Sequence, residues 1–464
     1  MNDAMTSKNA DTSEVPSTHT TKRELKGGKE FNEALRYEKG VGVEKDIRKA
    51  FEWYMKSAEC GHANGMLRVG MCYGKGEGVT QNKTKAFEWF LKSAEKGIAR
   101  AMFNVGLCYD DGHGVTQDKI KAFEWYLKSA ESGYAKAMFN AGVCYCNGEG
   151  VEKDMTKGFG WYLKSAENGN ADAMNYVGMS YRFGRGVTQD STKAFEWFLK
   201  SAENGGVDAM NNVGICYEDG EGVAQDKTKA FEWFLKSADN GNAKAMFNVG
   251  MCYKKGKGVE QDTTKAYDWF LKSAENGNAE AMNHAGLCFS NGEGVEKDMT
   301  KAFEWFLKAA ENEDANGMNN VGVCFSNGQG VTQDFIKGFE WWLKSAENGN
   351  AVAMNSVGWC FEMGNGVAKD MTKAFEWYLK AAENEEADAM FNVASCYDNG
   401  EGVTQDKTKA FEWYLKAAEK GSVDAMKEVG CCLCRGSGVS RDLKKAREWF
   451  TKSSKNEEQD QKKQ

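Results

Sequence analysis

Apolar positions recur along this chain every 36 residues, and within each period they form two helical patterns separated by glycine-bearing turns. Around Trp233, the positions Ala230, Phe231, Trp233, Phe234, Leu235, Ser237 and Ala238 gather on an arc of roughly 200° of a helical wheel. Lys229, Glu232 and Lys236 fill the remaining stripe as a solvated, charged edge. An arc that broad has to be covered from two directions, by a partner helix and by the next repeat. A second pattern follows over about residues 243–254, where Ala245, Met246, Val249, Gly250, Cys252 and Tyr253 share one face by i, i+3 and i+4 spacing.

The stop signals agree with two helices per unit. Asp226 stands where an N-cap acceptor is needed, and Gly241 suits the left-handed residue that ends the first helix. Gly256-x-Gly258 closes the second helix. Gly250, inside that second helix, costs roughly 1 kcal/mol relative to alanine. Its recurrence predicts a close helix–helix approach, with Trp233 and the phenylalanines of the first helix filling the space beside it.

The period holds without a slip across Trp53, Trp89, Trp125, Trp161, Trp197, Trp233, Trp269, Trp305, Trp341, Trp377, Trp413 and Trp449. A fixed repeat of this length predicts an all-α solenoid of about twelve 36-residue helix-turn-helix units. The repeats are expected over residues 28–457, with disordered tails at 1–27 and 458–464. Residues 31–39 look like a degenerate second-type helix. In the last unit Arg447 and Thr451 replace apolar slots, as a polar cap would. Glu313 and Glu385 replace the linking glycine and are expected to alter the local pitch.

Composition narrows the function classes. A formal net charge of −8 argues against a protein that tracks nucleic-acid phosphates, and the one basic cluster, Lys22, Arg23, Lys26 and Lys29, is diluted by Glu24 and Glu30. No Sec-type leader and no apolar run long enough to cross a bilayer is visible, so a cytoplasmic or otherwise intracellular protein is expected. Cys72, Cys108, Cys144, Cys216, Cys252, Cys288, Cys324, Cys360, Cys396 and Cys432 recur 19 residues after a tryptophan, with Ser180 in the exceptional slot. Equivalent points on stacked helices lie roughly 8–10 Å apart or more, beyond the reach of a disulfide, so these read as small buried residues. Cys431 and Cys434 form a C-x-x-C without a second ligand pair nearby, which does not make a metal site.

No catalytic constellation is visible. His19, His62, His113 and His284 fall in a tail, a link, a turn and a helix face. Each Gly-x-Gly lies between two helices and lacks the strand that precedes a dinucleotide fingerprint. Neither a cofactor nor a metal is expected, and the chain reads as non-catalytic.

The pattern A-M-x-N-V-G-x-C-Y-x-x-G-x-G-V-x-x-D-x-x-K-A-F-x-W resembles the Sel-one-like repeat, a 36-residue relative of the tetratricopeptide repeat. Ala245, Gly250, Tyr253, Gly256, Gly258, Asp226, Lys229, Ala230 and Trp233 fill its framework slots together, and the match extends over about nine-tenths of the chain. The resemblance implies a right-handed superhelix acting as an adaptor or scaffold in protein quality control, cell-wall synthesis control or host-cell interaction. It also implies two further readings. One is a regulatory subunit of an enzyme complex. The other is the weak β-lactamase-like activity of a cysteine-rich branch, whose paired cysteine slots hold Ala238 and Ala245 here.

The binding expectation rests on the outward face of the second-pattern helix. Positions 11, 15, 18 and 22 after each tryptophan fall within about 60° of one another and point away from the core. At position 15 stand Asn104, Asn140, Tyr176, Asn212, Asn248, His284, Asn320 and Asn392, with Arg68, Ser356 and Glu428 completing the row. Position 18 is an apolar row that ends in Trp359. In tetratricopeptide-like superhelices the equivalent helix lines the concave groove. An asparagine offers two donors and an acceptor on a short stem, so such a row can hold the backbone of an extended peptide without reading its side chains. Two readings stay open: a groove for a protein or extended peptide, or a framework in which the amides bond the neighbouring turn. The partner's identity and the oligomeric state are not written in the sequence, and a monomer is favoured.

Overall fold

The computed structural model describes residues 22–461, and among these are 24 helices and no strand. Contacts divide the chain into two compact units, Met1–Gln225 and Asp226–Gln464. The first contains α1 (Lys22–Lys39), α2 (Ile47–Glu59), α3 (Ala63–Lys75), α4 (Lys83–Glu95), α5 (Ala99–Asp111), α6 (Lys119–Glu131), α7 (Ala135–Asn147), α8 (Met155–Glu167), α9 (Ala171–Phe183), α10 (Ser191–Glu203) and α11 (Val207–Asp219). The second contains α12 (Lys227–Asp239), α13 (Ala243–Lys255), α14 (Thr263–Glu275), α15 (Ala279–Asn291), α16 (Met299–Glu311), α17 (Ala315–Asn327) and α18 (Phe335–Glu347). It continues with α19 (Ala351–Met363), α20 (Met371–Glu383), α21 (Ala387–Asn399), α22 (Lys407–Glu419), α23 (Val423–Arg435) and α24 (Leu443–Gln461). Within each unit every helix packs on its sequence neighbours, which is the solenoid arrangement. The odd-numbered helices from α3 onward are called A helices and the even-numbered ones B helices.

Local chemistry sets the boundaries. The Asp226 carboxylate accepts the Lys229 backbone N–H at 3.0 Å and opens α12, and Asp262 does the same for Lys265 at 2.9 Å before α14. Each A helix ends on a glycine in the left-handed region, such as Gly256 at φ 64°. The second glycine of the turn serves a different purpose. A side chain at Gly258 would run into the carbonyl of Lys227, the first residue of the preceding B helix, so this backbone contact joins consecutive hairpins.

Serines on the B helices tie repeats together as well. Ser165 Oγ donates to the Ala135 carbonyl at 2.7 Å, and Ser345 Oγ to Ala315 at 2.7 Å. Ser165 and Ser345 are fully buried, and each gives its hydroxyl to the carbonyl of the first residue of the preceding A helix. Where the slot is alanine, at Ala309, Ala381 and Ala417, the position remains fully buried.

Three expectations need correction. The partner of the A-helix glycine is not the tryptophan of the preceding B helix. A Cβ on Gly250 would meet the Phe270 ring at 2.7 Å, and Phe270 follows the tryptophan of the next B helix and is fully buried. Trp233 is only half-buried, with Lys236 Nζ 4.3 Å from its ring centroid, an arrangement repeated along the chain by Lys56 over Trp53 and Lys416 over Trp413. The wheel's apolar arc is so wide that the tryptophan sits at its margin, where a lysine stem covers it.

Glu313 and Glu385 do not change the link. They adopt φ 65° and 64°, in the same left-handed region as Gly277 at 86°, because the stacking of the flanking helices dictates the turn whatever residue occupies it. The tail boundary at residue 27 also falls too late. Helix α1 begins at Lys22 and is held by Ser57 Oγ, which donates to the Gly27 carbonyl at 2.7 Å. Residues 1–21 lie outside the described residues, and α24 carries its helical backbone on to Gln461, inside the segment assigned to the second tail.

Candidate functional site

The A helices place four positions of each repeat toward solvent. At position 11, Lys244, Glu280, Asn316, Val352 and Asp388 are exposed, and at position 22, Lys255, Asn291, Asn327, Met363 and Asn399 are exposed. Between them, the residues at positions 15 and 18 are mostly half-buried. The opposite side of the same helices carries Ala245, Val249 and Cys252 into the core. One side of each A helix therefore builds the stack, and the other remains open as a row of side chains.

At least three of the six asparagines at position 15 are bonded to an asparagine of the preceding repeat. In the first unit Asn212 Nδ2 on α11 donates to Asn175 Oδ1 on α9 at 2.8 Å. In the second, Asn320 on α17 donates to Asn283 on α15 at 2.8 Å, and Asn392 on α21 to Asn355 on α19 at 2.9 Å. The acceptors stand at position 14 of the preceding repeat, so each bond joins neighbouring A helices rather than reaching a turn. Each pair spends one donor and one acceptor and keeps further N–H groups and a carbonyl, so these three bonds act as framework between neighbouring A helices.

Two other candidate residues follow what stands at position 14. Where it is Phe139, Tyr176 packs on it at 5.0 Å, edge to face, and is 44% exposed. Where it is Phe247, His284 lies 5.1 Å from that ring and 5.1 Å from Phe270. Burial first, then Lys254 and Lys255, push the His284 imidazole down from 6.5 to about 4, with Glu293 opposing, and its Nδ1 has no partner. Asn104, Asn140 and Asn248 are half-buried on α5, α7 and α13. Trp359, 38% exposed, rests at right angles on the buried Trp342 with centroids 6.4 Å apart.

Sequence reasoning missed position 14. Part of the signal was available: Asn175, Asn283 and Asn355 at that slot each have an asparagine 37 positions later, and Phe139 and Phe247 each have a ring there, although Phe103, Asn319 and Phe391 are followed by Asn140, Ser356 and Glu428. It also missed position 21, where Asp110 accepts from the Tyr126 hydroxyl at 3.1 Å and Glu362 from Tyr378 at 2.5 Å. Burial and the facing carboxylates raise both phenols above their ordinary range. In the first unit a cavity of about 420 Å³ opens beside Tyr176, lined also by Phe139, Asn175, Asp172, Gly206 and Asp208.

No group of three histidine, cysteine, aspartate or glutamate side chains gathers among the described residues. His62 accepts the Gly65 N–H as the N-cap of α3, and His113 stands in a turn 3.7 Å from Asp111, while His19 lies outside the described residues. The in-register cysteines are buried and form no disulfide, and burial pushes thiols such as Cys108 up to about 11 and Cys360 up to about 12. Cys431 and Cys434 are free as well. No described helix is long and apolar enough to cross a membrane.

The Sel1 repeat family model matches twelve consecutive segments: 32–62, 63–98, 99–134, 135–170, 171–206, 207–242, 243–278, 279–314, 315–350, 351–385, 387–422 and 423–457. Each begins at or near the first residue of an A helix, apart from the first, which begins within α1. Among solved structures, the chain is similar to c5321, a protective antigen present in uropathogenic Escherichia coli strains that displays an SLR fold. The two are 34% identical over 89% of this chain and 91% of that one, with a TM-score of 0.64. It is also similar to a Sel1 repeat protein from Oxalobacter formigenes, at 29% identity over 65% of this chain and 88% of that one, with a TM-score of 0.51. No curated protein is significantly similar to the chain.

Proposed function

Since the chain belongs to the Sel1 repeat family, whose helical solenoid generally mediates protein–protein interaction, we propose that it is a non-catalytic scaffold or adaptor. It binds an extended polypeptide along the open face of its A helices and acts as a monomer. The observation that carries this reading is the cross-bonded asparagine row. Asn212, Asn320 and Asn392 are fixed by Asn175, Asn283 and Asn355, so their remaining amide groups are presented without the cost of ordering loose side chains. Half-buried aliphatic residues such as Met179, Met251 and Val323 lie one turn further along the same helices and offer shallow pockets for alternate side chains. The buried cysteines, none of them in a disulfide, support an intracellular home.

Affinity capture with mass spectrometry tests the reading. The intact protein is compared with an Asn212→Ala, Asn248→Ala and Asn320→Ala variant whose helical content is verified by circular dichroism. Loss of a stoichiometric partner in the variant alone is the expected result. Partners that remain fully bound would move the binding site to the turns or the B helices.

A further inference from the structure

Helix α19 departs from its siblings along the whole of its exposed face. Positions 11 and 22 hold Asn316 and Asn327 on α17, and Asp388 and Asn399 on α21, but on α19 they are Val352 and Met363, exposed by 52% and 56%. Position 18, Val323 on α17, is Trp359 on α19. The indole is supported from beneath by Trp342, which replaces the phenylalanine or tyrosine of other B helices. The amide ladder breaks at the same helix. Ser356 stands in the asparagine slot and turns its hydroxyl back to the Val352 carbonyl at 3.0 Å, which leaves Asn319 Oδ1 on α17 without a partner.

An exposed valine, tryptophan and methionine spaced over three turns of one helix form an apolar stripe with a rigid aromatic at its centre, the composition of a binding hot spot. The charges to either side differ in sign. Toward the start of the second unit α13 exposes Lys244 and Lys255, whereas α21 exposes Asp388, and α23 carries at the same four positions the exposed Asp424 and half-buried Glu428 against one exposed cation, Arg435. Between α13 and α19 lie the exposed Glu280 and the half-buried His284 ring of α15 and the neutral amides of α17.

We propose that α19 is the anchor point of the second unit for an extended polypeptide carrying one large apolar side chain. That partner has acidic residues on the side facing α13 and basic residues on the side facing α21. This rests on the reading of the A-helix face as a peptide-binding surface and adds which residue type it selects and where. Neighbouring A helices stand about 9 Å apart and an extended chain advances about 3.3 Å per residue, so one repeat spans about three residues. The acidic residues therefore lie about eight or nine positions from the anchor, and the basic ones about three positions beyond it.

The test selects peptides of about 16 residues from a random display library on the full chain, then measures the affinities of the winners by fluorescence polarisation. A Val352→Asn, Trp359→Val and Met363→Asn variant copies α17 at its own three positions, so it keeps residues the repeat already folds with. Selected peptides are expected to share the acidic, apolar and basic pattern, to lose about tenfold or more in affinity to this variant, and to bind more weakly at high salt. Peptides weakened by Asn320→Ala and Asn392→Ala but indifferent to the α19 variant would overturn the anchor and leave the binding face standing. Peptides indifferent to both variants, or no enrichment at all, would overturn both. A concentration-dependent dimer in sedimentation that the α19 variant dissolves would make a second copy of this chain the occupant and overturn the proposal.

Discussion

Glu313 holds φ 65° in a link where most repeats use glycine, and its Cβ makes that conformation costly. Glu313→Gly is expected to stabilise the protein by about 1 kcal/mol, less the entropy glycine adds to the unfolded chain. An unchanged or lower denaturation midpoint would contradict the strain. Glu385 is a poorer test, because its carboxylate also pairs with Lys420 at 2.9 Å. His284 gives a pH signature. With its imidazole at about 4 when folded against 6.5 when free, the unfolded chain binds the extra proton between those values. Stability is therefore full above pH 6.5 and falls as pH drops toward 4. The residue's NMR titration midpoint is expected near 4 at this site, and a midpoint near 6.5 would show that the ring is solvated.

At the scale of the element, Gly250 on α13 and Phe270 on α14 are one packing contact, so Gly250→Ala should push the ring aside and cost about 1–3 kcal/mol. A variant as stable as the parent by denaturant titration would mean that the helices separate freely. Periodicity makes the helices, their Asp226-type caps and their glycine stops legible, because each of these is a local backbone requirement. The open face of the A helices is legible too, since a wheel gives direction. What a wheel cannot give is which rung of the neighbouring helix a side chain meets. The bond from Asn212 to Asn175 and the seat of Gly250 on Phe270 rather than against Trp233 depend on the offset between helices, which is set by the Gly258-type backbone contact.

At the scale of the whole molecule, each repeat within a unit buries its apolar face on the next, and the last one of the second unit changes character. Arg447 and Thr451 are exposed on α24, and Phe450, whose counterparts Phe198, Phe234 and Phe270 are fully buried, is 37% exposed. Removing residues 423–464 uncovers Tyr414 and Leu415 on α22 instead, so the shortened protein is expected to aggregate in light scattering. A monodisperse monomer would count against α24 as a cap. The central claim concerns the A-helix face, and the most direct measurement is photo-crosslinking to a captured partner. One photoreactive residue replaces Ser356 on α19, and another replaces Glu376, exposed on the charged edge of the B helix α20. Adducts from position 356 and none from 376 are predicted; adducts from 376 alone would contradict the account.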